Sequence, residues 1–179
     1  MQTLEQANPG AADLYWLAHL ITGSRETSVK VAVEALESQN AGNAFFSAWM
    51  PGWSRRVVIA RALRAIRDEL ATSGRRTAWR ARTAQVPSRN WSMDHSTTKV
   101  QVEHALLAID VFPRVALLLA FFGRVALEDA AILLDESSEL VRKARTIGLR
   151  ELTRNLALMQ GWTSTAINSF AAPAEVQLV

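Results

Sequence analysis

The residues best suited to chemistry in this sequence are cations at helical spacing in its carboxyl-terminal third. With Val141 taken as the inward reference of a helix over residues 137–159, a set of polar and cationic side chains falls on the opposite side. These residues are Arg142, Lys143, Thr146, Arg150 and Arg154. Such a face can lie in the major groove of DNA, where its cations contact phosphates or base edges. A solvated helix face fits the same spacing, so both interpretations stay open on periodicity alone.

A second and denser group of cations lies in residues 55–100. This segment holds eleven lysines and arginines against three acidic residues, whereas the whole chain has 20 and 17. Ten of the eleven are arginine, whose guanidinium is always charged and can form two hydrogen bonds to one anion. Closely spaced phosphates suit such a segment, which favours nucleic acid as a partner. A solvated basic linker is the competing interpretation of the charge.

Tryptophans accompany the start of this basic segment. Trp49 and Trp53 precede the pair Arg55 and Arg56, and aromatic faces beside guanidinium groups suit an unstacked base. Tryptophan at helical spacing is also common in protein cores, so buried packing is the alternative for at least one of the two. Further cations suited to duplex phosphate are Arg61, Arg64 and Arg67.

Composition excludes several classes of site. The chain has 179 residues, 49% of them hydrophobic, and no cysteine, so disulfides, thiolate zinc sites and thiol nucleophiles are ruled out. We interpret the scattered His19, His95 and His104 as ordinary core or surface residues. With no carboxylate pair or phosphate-binding glycine loop in the sequence, we expect no enzyme, metal or cofactor. The apolar run 115–122 is too short to span a bilayer, so we expect a cytoplasmic protein.

Helical periodicity runs through the chain, and no segment alternates apolar and polar residues long enough to be a convincing strand. The pattern therefore predicts an all-α fold. The predicted helices cover residues 13–21, 26–39, 54–71, 101–109, 113–122, 127–134 and 137–159. They divide into two small helical domains, residues 1–74 and 101–162, joined by a basic linker over 75–100 and followed by a tail over 163–179.

Apolar stripes predict which side of each helix faces a core. The inward positions are Leu14, Leu17, Ala18 and Ile21 in the first helix, Val29, Val33 and Leu36 in the second, Val58, Ala62, Ile66 and Leu70 in the third, and Val141, Ala144, Gly148, Leu152 and Leu156 in the last. We expect Gly23 to end the first helix and Ser73-Gly74 to end the third. The pair of segments 127–134 and 137–159 has the layout of a helix-turn-helix.

Three motifs follow one another in residues 105–152. Ala105-Leu106 precedes a run from Pro113 to Leu119, Gly123 precedes a run from Asp129 to Leu134, and Val141 is followed by Gly148 and Leu152. This order resembles region 4 of the small, extracytoplasmic-function (ECF) type of bacterial sigma factor, with its A-L…L-P…R-x-x-L-L-L segment, its G…E-I-A-x-x-L scaffold helix and its recognition helix.

A fainter set of motifs lies in residues 13–70. Leu14-Tyr15 through Thr22-Gly23, then residues 31–36, then residues 49–67 follow one another. They resemble region 2 of the same family, namely its first helix and turn, its second helix, and the segment that melts the promoter and reads the −10 element. With the segment between them, the two resemblances span residues 13–152, about three quarters of the chain.

The resemblance implies a transcription initiation protein that binds core RNA polymerase and recognises promoter DNA at the −10 and −35 elements. Its polymerase-binding positions would be Val29, Lys30, Val33 and Glu34. The region 2-like contacts with DNA would come from Trp49, Trp53, Arg55, Arg56, Arg61, Arg64 and Arg67. The region 4-like helix-turn-helix would use Ser138, Arg142, Lys143, Thr146 and Arg150. An anti-sigma factor is a further partner that the resemblance allows.

The chain departs from the family pattern at positions that matter for this function. Lys30 and Val33 stand where family members carry Asp and Gln, and Asp135 and Glu136 stand where the turn has Gly and an apolar residue. Ala144 replaces a basic residue. Lys30, Val33 and Glu136 favour a second interpretation, a degenerate sigma-derived interaction protein that binds polymerase or a regulator without initiating transcription.

Overall fold

The computed structural model describes residues 9–40, 50–83 and 97–161. These residues form eight α-helices and no strand, so the predicted all-α class is confirmed. The helices are α1 (Pro9–Thr22), α2 (Arg25–Asn40), α3 (Met50–Ala65), α4 (Arg67–Thr83), α5 (Lys99–Leu107), α6 (Val111–Phe121), α7 (Leu127–Leu134) and α8 (Ser138–Met159). Among them, no helix has the length and apolar character needed to cross a membrane.

Local signals set the ends of α1, α2 and α8. Gly23 follows α1 with a φ of 70°, a left-handed conformation that favours glycine. The Ser24 hydroxyl then accepts a hydrogen bond from the Thr27 amide at 3.3 Å and caps α2. Ser137 caps α8 by accepting from the Leu140 amide at 3.2 Å. These hydroxyls satisfy amides that have no partner within their own helix.

The first half of the molecule, α1 to α4, begins with a bundle of α1, α2 and α3. The predicted inward stripe of α1 is buried, as are the four predicted inward positions around α3, so these predictions are confirmed. The buried residues are Leu14, Leu17, Ala18 and Ile21 on one side and Val58, Ala62, Ile66 and Leu70 on the other. They pack into one hydrophobic core with Val31 and Ala35 of α2.

The predicted buried side of α2 is wrong. Val29 and Val33 are 44% and 46% exposed, and Leu36 is only partly buried. The inward residues are instead smaller, chiefly Ser28, Ala32 and Ala35, together with Val31. Small side chains let α2 approach α1 closely, and the Ser28 hydroxyl is satisfied by the Thr22 hydroxyl at 2.9 Å. The spacing of the larger apolar residues therefore indicated the side of α2 that faces solvent.

The predicted end of the third helix at Ser73-Gly74 is also wrong. Helix α3 ends at Ala65, and after Ile66 the chain continues as α4 to Thr83. Ser73 is buried, and its hydroxyl accepts a hydrogen bond from the Phe112 amide at 2.8 Å. A Cβ on Gly74 would lie 3.4 Å from the Phe112 ring. These two small residues mark a contact with α6 rather than a stop.

The second half, α5 to α8, is built around α6. Every residue of α6 from Val111 to Leu119 is buried. Helix α8 lies close against it, because a Cβ on Gly148 would be only 2.6 Å from the Pro113 carbonyl oxygen. Val141, Ala144, Gly148 and Leu156 are buried and Leu152 is partly buried, which confirms the predicted inward stripe of α8. That stripe fixes the rotation of α8 about its axis.

The two halves pack against each other through one continuous hydrophobic core. Arg114 of α6 is buried where they meet, and its guanidinium donates hydrogen bonds to the carbonyls of Leu107, Ile109 and Ile21 at 3.1 to 3.3 Å. Ile21 belongs to α1, so this side chain joins the halves at the carboxyl ends of two helices, where a cation is favoured. Burial lowers the pKa of Arg114 from its ordinary value. The predicted domain boundaries themselves stay a prediction.

Candidate nucleic-acid interface

Helices α7 and α8 are joined by a short turn over residues 135–137. Asp135 has a φ of 53°, a left-handed conformation that favours glycine. Aspartate tolerates this conformation better than most residues. Ala130, Ala131 and Leu134 of α7 are buried against the rest of the half. The turn therefore forms despite the sequence departure at Asp135.

The outward side of α8 carries the cations that the sequence placed there. Arg142, Thr146 and Arg150 are exposed, Lys143 is partly exposed, and Ser138 is partly buried in the first turn. Arg154 is exposed farther along the helix. The orientation agrees with the prediction, because the buried stripe on the opposite side of α8 allows only one rotation of the helix about its axis. Their contact with DNA stays a prediction.

An acidic side chain engages the first cations of α8. Glu139 accepts hydrogen bonds from Arg142 at 2.8 and 3.0 Å and forms an ion pair with Lys143 at 3.3 Å. Hydrogen bonds from Arg142 and then from Lys143 lower the pKa of Glu139. At neutral pH the three side chains together carry one net positive charge. A phosphate group would have to displace this carboxylate or share the two cations with it.

The cations predicted on the first half lie mostly at the surface of α3 and α4. Arg55, Arg56, Arg64 and Arg67 are exposed. Arg61 forms an ion pair with Glu34 of α2. Trp49 and the side chain of Trp53 lie outside the described residues, so the proposed stacking positions are not among the described surfaces.

Two arginines of the basic segment bind the other half of the protein. Arg76 donates two hydrogen bonds to Asp110, at 2.6 and 3.0 Å, and Arg80 forms an ion pair with Glu151 of α8. Burial raises the pKa of Asp110, but hydrogen bonds from Arg76, Ser73 and the Val111 amide outweigh it and leave the pKa below its ordinary value. In this arrangement these two arginines face carboxylates, not phosphates.

Sequence reasoning missed this joint between the halves. Its signal is present in α4, where Ser73, Thr77 and Arg80 recur at helical spacing and Arg76 lies beside them. Ser73 and Thr77 are both buried. Small and cationic residues that recur at this spacing indicate a helix that continues and packs one side against another element. The dipeptide Ser-Gly by itself indicates the end of a helix.

The predicted polymerase-binding residues form a surface on α2. Val29, Lys30 and Val33 are exposed, and Glu34 is partly exposed beside Arg61. Val29 and Val33 lie one helical turn apart on this surface. Their contact with polymerase stays a prediction.

The histidines take ordinary positions where the structure describes them. His19 is buried on α1, with its Nε2 atom 3.5 Å from a carboxylate oxygen of Glu103 and its ring stacked on Tyr15. His104 is exposed, and His95 lies outside the described residues. Over the described ranges, no group of three or more His, Cys, Asp or Glu side chains is placed to hold a metal ion.

Comparisons with known proteins bear on the fold. No protein-family model and no curated protein matches this sequence. A solved structure similar to this one is the sigma factor RpoE from Bartonella quintana, crystallised in complex with the anti-sigma factor NepR. The two chains are 12% identical with a TM-score of 0.50, and the match covers 83% of this chain and 92% of RpoE. This chain therefore shares its fold with a sigma factor.

Proposed function

We propose that this protein is a sigma-factor-like transcription initiation protein that binds core RNA polymerase and recognises promoter DNA. The observation that carries the proposal is the outward side of α8, where Arg142, Lys143 and Arg150 lie opposite a buried stripe. That helix follows a short turn in a chain whose fold is shared with a sigma factor. The protein would act in the cytoplasm, where transcription takes place.

Docking on polymerase is assigned to α2. The exposed Val29 and Val33 would supply apolar contact, and Lys30 and Glu34 would supply polar contact. Because Arg61 of α3 pairs with Glu34, this surface is continuous with the cationic surface of the first half. Polymerase bound to α2 would thus lie next to DNA bound along α3.

Contacts with DNA are assigned to both halves. Arg142, Lys143, Thr146 and Arg150 of α8 would enter the −35 element, with Ser138 near a phosphate at the start of the helix. Arg55, Arg56, Arg64 and Arg67 are exposed on the first half and would follow the phosphates near the −10 element. Trp49 and Trp53 would stack on unpaired bases there. Each contact surface is small, so tethering both to one polymerase would raise the combined affinity.

The joint between the halves constrains how this function could work. Arg76 with Asp110, Arg80 with Glu151 and Arg114 with Ile21 hold the halves together. Reaching two separated promoter elements would require these contacts to be replaced by contacts with polymerase. An anti-sigma factor, the kind of partner that RpoE has in its crystal, would act by competing for the same surfaces.

Run-off transcription with purified core polymerase and a promoter library tests the proposal. We expect the double variant Arg142→Glu, Lys143→Glu to abolish promoter-dependent transcripts while circular dichroism and melting stay nearly unchanged, because both side chains are at the surface. Arg75→Glu with Arg82→Glu is a matched control, since it makes the same charge change at exposed positions of α4. Equal loss in the two double variants would mean that only overall charge matters.

The second candidate function is a sigma-derived interaction protein that does not initiate transcription. Glu136 favours this second function. Its carboxylate oxygen would lie 3.4 Å from a Cβ at Gly74, so the turn between α7 and α8 lies against α4. In this arrangement the turn is part of the joint between the halves. Such a protein would bind core polymerase yet give no transcript from any library sequence. The same run-off assay, combined with a pull-down of core polymerase, separates the two candidates.

A further inference from the structure

A cavity of about 540 Å³ lies where α1 and α3 of the first half meet the end of α6 in the second half. This volume falls within the range of sites that bind small organic molecules. Its apolar wall comes from both halves and consists of Leu14, Trp16, Leu17, Phe121 and Phe122. A ligand held there would contact both halves at once.

Two aromatic residues of this wall are open to solvent. Phe121 is 60% exposed and Phe122 is 39% exposed, at the last turn of α6. The Trp16 ring meets the Phe122 ring edge to face, at 5.6 Å between centroids. Aromatic rings placed around a cavity can stack on a flat apolar molecule and lose contact with water when it binds.

Two cations lie at the same cavity. Arg55 comes from α3 and Arg124 from the segment after α6, and both are exposed. Neither forms an ion pair with another residue of the described ranges. Asp13 is the acidic side chain among the lining residues, so the lining has one net positive charge. This balance suits a ligand with one anionic group.

The backbone conformation of Arg124 is set by the end of α6. Its φ is 49°, a left-handed conformation that is costly for residues other than glycine. This conformation ends α6, where the Val125 amide donates a hydrogen bond to the Leu119 carbonyl oxygen at 3.0 Å. Glycine at this position would relieve the strain but remove the guanidinium from the cavity.

We propose that this cavity binds a small aromatic anion, with a flat apolar body against Trp16, Phe121 and Phe122 and a carboxylate, sulfonate or phosphate group between Arg55 and Arg124. Because the wall includes both halves, the bound ligand would stabilise their packed arrangement. The proposal does not depend on promoter recognition, and its tests use no DNA.

A pair of fluorescent probes tests the charge requirement. Anilinonaphthalene sulfonate has an aromatic body and one sulfonate, and N-phenylnaphthylamine is the neutral analogue without it. We expect saturable binding of the sulfonate to the folded full-length protein, at least roughly tenfold tighter than the neutral probe because of the two arginines. Equal affinities would overturn the proposal, since the cavity would then select only for apolar character.

Two glycine variants test whether the probe binds in this cavity. Arg124→Gly removes the guanidinium and relieves a left-handed backbone, and Asp135→Gly relieves the other left-handed non-glycine residue of the described chain, on the turn before α8. We expect Arg124→Gly to weaken sulfonate binding roughly fivefold and Asp135→Gly to leave it unchanged.

A third variant, Phe121→Ala, changes an exposed ring and should weaken both probes without unfolding the protein. Unchanged binding in both Arg124→Gly and Phe121→Ala would place the probe elsewhere and overturn the proposal.

Discussion

Helices α4 and α8 are both rich in arginine, but their cations lie in different surroundings. On α4, Arg76 and Arg80 bind carboxylates of the other half of the molecule. On α8, Arg142 is bound to Glu139 of the same helix, and Arg150 is exposed. The two helices show that the density of arginine does not by itself locate a nucleic-acid surface. What distinguishes them is the side of the helix that the apolar residues bury.

The rotation of α8 is the basis of this comparison, and Gly148 is the residue that tests it most strongly. Alanine is a better helix former than glycine by about 1 kcal/mol, so Gly148→Ala would stabilise an open helix. Here the new Cβ would lie 2.6 Å from the Pro113 carbonyl oxygen. We expect a net loss of roughly 3 kcal/mol in the free energy of unfolding, measured by urea denaturation.

Thr146→Ala is the control for this measurement, because it introduces alanine on the exposed side of the same helix. It should leave the free energy of unfolding nearly unchanged. A Gly148→Ala protein as stable as the parent would show that α8 is seated differently on α6. The cationic side would then need to be reassigned.

The joint formed by α4 makes a smaller and pH-dependent contribution. Because the pKa of Asp110 lies below its ordinary value in the folded protein, its ionised form stabilises the fold above the unfolded pKa of about 3.9. This contribution is lost as the pH falls through the lower, folded pKa. We expect Asp110→Asn to be less stable at neutral pH and to show a weaker dependence on pH below about 4.

Asparagine is a good replacement at this position because it can still cap α6, where Asp110 accepts from the Val111 amide at 2.9 Å. Thermal melts between about pH 3 and 7 would measure the effect. Asp129→Asn, an exposed acidic residue of α7, is the control. Identical pH profiles for the parent and Asp110→Asn would show that the contact with Arg76 does not hold the halves together.

The difference between the two helices also shows how far the sequence could be interpreted. The bounds of α7 and α8 were predictable because Ser137 supplies a cap and four apolar residues fix the inward side of α8. The path of α4 was not, because Ser73-Gly74 fits both a stop and a close contact. Only the contact with Phe112, 39 residues away in sequence from Ser73, decides between them.

The candidate surfaces also divide into those set by local pattern and those set by contacts between residues distant in sequence. The outward cations of α8 were predictable from local periodicity alone. The ion pair of Arg80 with Glu151 joins residues 71 positions apart, and no local pattern contains that information. The exposed valines of α2 were assigned wrongly to the core by spacing, because size dominated the apolar pattern while alanine and serine formed the contact.

The smallest expected effect concerns Glu139. Its carboxylate pairs with the first cations of α8, as other carboxylates pair with the arginines of α4. Replacing it by glutamine keeps the size of the side chain and removes the charge that Arg142 and Lys143 face. We expect Glu139→Gln to bind duplex DNA roughly threefold more tightly at low ionic strength, in fluorescence anisotropy, with the gain shrinking as salt is added. Since hydrogen bonds from Arg142 and Lys143 lower the pKa of Glu139, the carboxylate is already ionised at neutral pH. The gain should therefore be constant between about pH 6 and 8.

Glu128→Gln makes the same charge change at an exposed position of α7, and an equal gain there would mean that α8 has no privileged contact with DNA.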